Sequence, residues 1–119
     1  MAQDRPTATE LLNAVADFLR EEATPTLDNA DPRLGFQMRV AVNSLAILER
    51  EWRLGPAADA REHARLVKLL GRAGTLEELN RELARQLRDS ERDESDPELM
   101  AHLEATTADK IAIANPKWR

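Results

Sequence analysis

The sequence of 119 residues contains no cysteine and no tyrosine, and only two tryptophans and two phenylalanines. Without cysteine the chain can form no disulfide and offers neither a thiol nucleophile nor a zinc–thiolate site. No apolar run approaches the ~20 residues that a membrane-spanning helix needs. The first ten residues, MAQDRPTATE, hold no apolar core of the kind found in signal peptides. We therefore expect a cytoplasmic protein that does not enter a membrane.

Sequence signatures of catalysis are also missing. The four glycines are scattered and build no phosphate-binding loop, and no G-x-S-x-G nucleophile motif occurs. The two histidines, His63 and His102, have no partner at a metal-ligand spacing, and we expect both at the surface. A net charge of −5 argues against nucleic-acid binding. We expect no catalytic, cofactor or metal site in this chain, so it is not predicted to be an enzyme on its own.

The residues that are abundant are helix formers. Alanine occurs 19 times and leucine 17 times, whereas valine and isoleucine together occur only seven times. A chain poor in β-branched and aromatic residues forms sheets badly and helices well. The composition therefore predicts an all-α fold, and the length fits a single domain over residues 1–119.

The positions of proline and of helix-capping residues predict about five helices. Capping boxes of the form T-x-x-E begin at Thr7 and Thr75. Proline is costly inside a helix, and all six prolines fall where a helix is expected to begin or end. The predicted helices span about 7–23, 32–54, 57–70, 75–88 and 97–114, with a loop over 24–31, a break at Gly55-Pro56 and a solvated acidic segment over 89–96. Short connections predict a compact bundle of mostly antiparallel neighbours.

The second predicted helix is apolar on two sides, which predicts a central position with neighbours on both faces. One stripe contains Leu34, Met38, Ala41, Leu45, Leu48 and Trp52; the other contains Phe36, Val40, Ile47 and Leu54. Asn43 falls inside the second stripe. Three interpretations are open: a satisfied buried amide that fixes helix register, a binding or docking site formed with Arg39, or simple exposure.

The C-terminal tail carries a second candidate contact. Asn115-Pro116 ends the last predicted helix, and Trp118 follows it. A tryptophan in a tail either folds back onto its own bundle or anchors a partner, since tryptophan is enriched at interface hot spots.

Four segments carry a resemblance to a known family. They are RPTATELLNAVADFL at 5–19, RVAVNSLAILERE at 39–51, LGPA at 54–57 and KIAIANPKW at 110–118. In their order along the chain and in their amino-acid sequence they resemble a family of small bacterial proteins catalogued as a domain of unknown function. Members of that family are typically encoded beside a kinase that resembles aminoglycoside phosphotransferases and beside an acyl-CoA dehydrogenase. One type of member is the small subunit of the kinase that phosphorylates 4-hydroxyacyl-CoA in levulinate breakdown.

The resemblance implies a non-catalytic accessory subunit, with ATP and Mg²⁺ held by the partner kinase. It assigns no catalytic residue. The candidate contacts that lie in the matching segments are Arg39, Asn43, Asn115, Pro116 and Trp118. Two alternatives stay open: a stand-alone helical protein or enzyme that binds an acyl or CoA compound, and a self-associating scaffold that forms a homo-oligomer.

Overall fold

The computed structural model describes residues 5–117, and over that range it contains helices and turns but no strand. The helices are α1 (Ala8–Phe18), α2 (Thr24–Ala30), α3 (Pro32–Leu70), α4 (Leu76–Arg88) and α5 (Pro97–Ala114), with a π-helical turn at Leu19–Ala23 between α1 and α2. The all-α prediction is confirmed. None of the described helices is both long enough and apolar enough to cross a membrane.

Both predicted capping boxes form. The Thr7 hydroxyl accepts a hydrogen bond from the Glu10 backbone N–H at 3.1 Å, and the Glu10 carboxylate accepts one from the Thr7 N–H at 3.0 Å. Thr75 and Glu78 repeat the arrangement at 3.1 and 2.9 Å. Each box satisfies two backbone N–H groups that a helix start otherwise leaves without an acceptor. The starts of α1 and α4 thus follow from local sequence.

The loop predicted over 24–31 is wrong, because the chain stays helical from residue 8 to residue 30. The π turn leads directly into α2: the Thr24 backbone N–H donates to the Leu19 carbonyl, and the Thr24 hydroxyl donates to the same oxygen at 2.7 Å. Pro25 lies in the first turn of α2. A proline is tolerated there because its missing N–H needs no acceptor.

The break predicted at Gly55-Pro56 is also wrong, since α3 runs through Pro56 without interruption. A proline inside a helix removes one hydrogen bond and crowds the preceding turn. The residues that follow, Ala57 to Ala60, are mostly alanine, which is the strongest helix former, and Ala58 is buried. The predicted second and third helices are therefore one element of 39 residues.

Contacts divide the chain into two compact units, an N-terminal unit (Met1–Arg53) and a C-terminal unit (Leu54–Arg119). The C-terminal unit has a leucine core formed by Leu66 of α3, Leu79 and Leu83 of α4, and Leu99 of α5. All four leucines are at most 5% exposed. The single domain predicted over residues 1–119 stays a prediction.

The segment 89–96 is a mostly exposed connection between α4 and α5, as predicted, and side-chain hydrogen bonds also hold it to the C-terminal unit. The Arg92 guanidinium donates to the Leu69 carbonyl at 3.2 Å, at the end of α3, and to the Gln86 side chain at 2.9 Å. Arg85 reaches Glu91 at 2.6 Å. These side chains order the acidic segment because each guanidinium can donate to several acceptors at once.

The apolar side chains that the described part of the N-terminal unit buries are small. Its buried positions on α3, which are Gly35, Val42 and Glu49, recur every seven residues along one line of the helix. A Cβ atom on Gly35 would lie 2.6 Å from Cγ and 3.0 Å from Cα of Asp28, so only glycine lets α2 approach this closely. Glu49 is satisfied by Arg53 at 2.9 Å.

The expectation that α3 is covered along both apolar stripes is wrong. Phe36 and Val40 of one stripe are 62% and 52% exposed, and Trp52 of the other is 62% exposed. The line that α3 buries instead runs beside the first stripe. The period of apolar residues shows which faces of a helix could be buried, and the packing of its neighbours decides which of them is.

Candidate functional site

An apolar groove lies in the N-terminal unit between α1 and the first half of α3. We call it the apolar groove; its volume is about 400 Å³. It is lined by Ala8, Leu11, Leu12 and Val15 of α1 and by Leu45, Leu48 and Trp52 of α3. Every lining side chain is apolar, so the groove can accept an apolar surface but offers no side-chain polar group to orient a small ligand.

Local sequence explains how these side chains meet. The capping box at Thr7 fixes the start of α1, and apolar residues three or four apart then share one face of that helix. Leu45, Leu48 and Trp52 have the same spacing on α3. Three of the lining residues stay about half exposed or more: Leu11 at 51%, Val15 at 48% and Trp52 at 62%. Contiguous exposed apolar side chains of this kind mark interaction surfaces.

A second hollow in the N-terminal unit, of about 280 Å³, brings together two residues predicted from the sequence, Arg39 and Asn43. Arg20, Thr24, Val42 and Ala46 complete its lining. Asn43 is exposed, so its interpretation as a buried amide that fixes helix register is wrong. Arg39 donates to Asp28 at 2.7 Å, and Arg20 donates to Asp17 at 3.0 Å. Both cations of the hollow are therefore already engaged by carboxylates.

The other three predicted contacts lie elsewhere. Asn115 and Pro116 belong to the C-terminal unit and are exposed at the end of α5. Asn115 is the C-cap residue, and its backbone N–H donates to the Ile111 carbonyl at 2.8 Å. Trp118 lies outside the described residues, so its role as a contact stays a prediction. Of the four candidates that the structure describes, Arg39 and Asn43 share one hollow.

A third cavity, in the C-terminal unit, surrounds a buried histidine. We call it the histidine cavity; it measures about 200 Å³ and is lined by Arg65, Lys68 and Leu69 of α3 and Glu98, Ala101 and His102 of α5. His102 is 4% exposed, so its prediction as a surface residue is wrong. The burial of His102 could have been inferred from its position three residues after the core residue Leu99, because residues three apart share a helix face.

His102 is held in one orientation by Arg65. The Arg65 Nε–H donates to His102 Nδ1 at 3.1 Å, and Nη2 of the same guanidinium donates to the Thr106 hydroxyl at 3.1 Å. Burial lowers the pKa of His102 below its usual value, and the positive charge of Arg65 lowers that pKa further. The imidazole is therefore neutral at physiological pH.

The other histidine, His63, is half-buried rather than at the surface. Its Nε2 lies 2.8 Å from the Gly74 carbonyl, and this contact joins α3 to the turn before α4. This contact gives His63 a structural explanation. Within residues 5–117, no three His, Asp or Glu side chains gather closely enough to hold a metal ion.

Comparison with known proteins gives one match. The family described as "Domain of unknown function (DUF6285)" matches residues 25–118. No curated protein and no solved structure matches the chain. The match covers all but the first residue of α2, all of α3 to α5, and every residue that lines the histidine cavity. The resemblance to a domain family of unknown function is confirmed, and the chain belongs to the DUF6285 family.

Proposed function

We propose that this protein is a non-catalytic accessory subunit whose apolar groove binds a kinase resembling aminoglycoside phosphotransferases, and that this kinase acts on a hydroxyacyl-CoA. In this proposal the kinase holds ATP and Mg²⁺ and carries out phosphotransfer. The present chain contributes a contact surface. The choice of kinase rests on the sequence resemblance, and the mode of binding rests on the groove.

The observation that carries the proposal is the exposure of large apolar side chains around the groove. Leaving apolar surface in water costs about 25 cal/mol for each Å². Leu11, Val15 and Trp52 each leave about half or more of their surface uncovered, while the same unit buries only small apolar side chains, Ala16 and Val42. A partner that covers the groove would bury the large side chains that this unit leaves exposed.

The shape of the groove favours a helix as the contacting element of the kinase. Two helices with apolar residues three or four apart form a trough that accepts the apolar face of a third helix, which is a common mode of recognition. Trp52 lies in the lining and is 62% exposed. A large aromatic side chain in such a position is typical of interface hot spots.

Co-expression with a kinase that resembles aminoglycoside phosphotransferases tests the proposal. We expect the two chains to co-purify, and Trp52→Ala to weaken the complex by about 2 kcal/mol, or about 30-fold in Kd. Phe36→Ala is the matched control, because Phe36 is equally exposed on α3 but lies outside the groove. Affinity is measured by isothermal titration calorimetry, and melting temperature is measured on both variants.

Two results would contradict the proposal. One is failure of the kinase to bind the unmodified protein. The other is an equal loss of affinity in Trp52→Ala and Phe36→Ala, which would exclude the groove as the docking site. If the purified protein instead forms a homodimer that Trp52→Ala dissociates, the groove serves self-association and the scaffold alternative replaces the kinase subunit.

A further inference from the structure

We propose that the histidine cavity binds a small monocarboxylate with a short apolar tail, and that His102 Nε2–H donates a hydrogen bond to its carboxylate. This inference goes beyond the proposed function. That function uses the apolar groove of the N-terminal unit, whereas all six residues of the cavity belong to the C-terminal unit.

The hydrogen bond from Arg65 determines which ring nitrogen of His102 carries the proton. An arginine side chain can only donate, so His102 Nδ1, which lies 3.1 Å from Arg65 Nε, must accept and carries no proton. A neutral imidazole then has its single proton on Nε2. His102 is thereby fixed as a donor through Nε2.

This donor has no acceptor among the described residues, although the side chain is almost fully buried. The hydrogen bonds of residues 5–117 include one to Nδ1 of His102 and none from Nε2. Every fully buried side-chain nitrogen or oxygen in that range has a partner. Nε2 therefore touches accessible space, and the accessible space beside His102 is the cavity that this residue lines. A donor that faces a cavity and has no protein acceptor can donate to an acceptor on a ligand in that cavity.

The charges around the cavity favour a single negative charge on the ligand. Among the lining residues, Arg65 and Lys68 are positive and Glu98 is negative, while His102 is neutral, which leaves one positive charge. The charge of Glu62 also reaches His102, but Glu62 does not line the cavity and accepts a hydrogen bond from Asn80 at 3.0 Å. Within the described part of the chain neither cation has a carboxylate partner in an ion pair. Arg65 uses Nε and Nη2 for His102 and Thr106, so Lys68 is the cation that a ligand can contact most freely. A monocarboxylate balances this charge. A phosphate dianion would exceed it and would lie beside Glu98, where like charges repel.

The size and the remaining lining define the rest of the ligand. The cavity of about 200 Å³ is smaller than the roughly 300–1,000 Å³ typical of sites for drug-sized ligands. Leu69 and Ala101 supply apolar contacts beside the polar end. A carboxylate with a tail of a few carbons fits this combination, and butyrate is a suitable probe.

Titration of the full-length protein with butyrate, followed by NMR, tests the inference. We expect the free protein to show the Nε2–H tautomer of His102, and we expect saturable shifts of the His102 ring nitrogens as butyrate is added. Lys68→Met should weaken binding about threefold to fivefold, because it removes one exposed positive charge. Glu98→Gln should strengthen binding by a similar factor, because it removes the like charge.

Matched controls separate this site from non-specific effects. Lys110→Met removes a lysine of the same unit that does not line the cavity, and it should leave butyrate affinity unchanged. Butylamine has a similar tail and the opposite charge and should not bind. Trp52→Ala should not alter butyrate binding, so failure of the kinase proposal and failure of this one are distinguishable.

Three results would overturn the inference. The first is no saturable shift of His102 with butyrate in the folded protein. The second is tighter binding of inorganic phosphate than of butyrate, which would assign the site to another anion. The third is an equal effect of Lys68→Met and Lys110→Met, which would show that butyrate responds only to net charge.

Discussion

At the scale of single residues, Arg85 forms ion pairs with three carboxylates of the C-terminal unit. Its guanidinium donates to Glu82 at 2.7 Å and to Glu91 at 2.6 Å, and it lies 3.3 Å from Asp89. The hydrogen bonds that Glu82 accepts from Arg85 and from Gln86 lower the pKa of Glu82 to about 2. The Arg85 guanidinium also lowers the pKa of Glu91. One side chain thus lowers the pKa of two carboxylates, Glu82 and Glu91.

The depressed pKa values predict how stability depends on pH. In the unfolded chain Glu82 binds a proton as the pH falls below about 4.5, whereas in the folded chain it stays ionised until the pH approaches about 2. The stabilisation from Glu82 is therefore complete above pH 4.5 and is lost as the pH falls towards 2. In Arg85→Gln we expect lower stability at neutral pH and a shallower decline between pH 4.5 and 2. Urea unfolding at a series of pH values measures both.

Arg81→Gln is the control for this prediction. Arg81 also forms an ion pair on α4, with Glu77 at 2.7 Å, but both side chains are largely exposed. Exposed pairs contribute little and are screened by salt. The stability of Arg81→Gln should therefore follow the unmodified protein at every pH, and equal pH profiles for the two variants would refute the role assigned to Arg85.

At the scale of helices, starts are easier to predict than interruptions. The starts of α1, α4 and α5 agree with the sequence because each depends on a cap within four residues, such as the Asp96 side chain that accepts from the Glu98 N–H at 3.2 Å. Pro25 and Pro56 were predicted to lie where helices are interrupted, but the chain is helical through both. Whether a helix stops at a proline depends on the gain from packing the residues beyond it, and that gain is not a local property of sequence.

The same reasoning explains what could be predicted of the candidate sites. Arg39 and Asn43 are one turn apart on a helix, so their proximity follows from sequence alone. The exposure of Asn43 and the burial of His102 depend on which helix faces pack together. Those choices are made by contacts between residues far apart in the chain, such as Arg65 with His102.

Pro56→Ala tests the continuity of α3. Alanine restores the backbone N–H and removes the steric conflict with the preceding turn, so the variant should be more stable by about 1–3 kcal/mol. The free energy of unfolding measured in urea gives the difference. Ala60→Pro, four residues along the same helix, is the converse control and should be destabilising. A loss of stability in Pro56→Ala would mean that Pro56 ends a helix, as the sequence alone suggests.

At the scale of the whole molecule, the large buried side chains are distributed unevenly. The side chains that are almost fully buried, which are Leu66, Leu79 and Leu99, all belong to the C-terminal unit. The N-terminal unit has no large apolar side chain buried to that degree among its described residues. Local stability follows the density of buried apolar contacts. The two units should therefore differ in resistance to local opening.

Hydrogen exchange measures this difference directly. In the isolated protein we expect the slowest amides around the four leucines of the C-terminal core and faster exchange throughout α1 and the first half of α3. Addition of the partner kinase should slow exchange in α1 and around Trp52, where the apolar groove lies. Equal protection of the two units in the isolated protein would contradict the prediction.

The π turn at Leu19–Ala23 determines where the N-terminal unit tolerates a change in chain length. A π turn holds about one more residue than an α turn for the same rotation, whereas each residue of a regular α-helix turns the chain by about 100°. Deleting one residue of the π turn would convert it into an α turn and leave α2 facing nearly the same way, so Asp28 would stay beside Arg39 and Gly35. Deleting Leu27 from the regular part of α2 would instead rotate Asp28 away from both by about 100°. A deletion at Leu27 is therefore expected to be far more harmful than a deletion within the π turn.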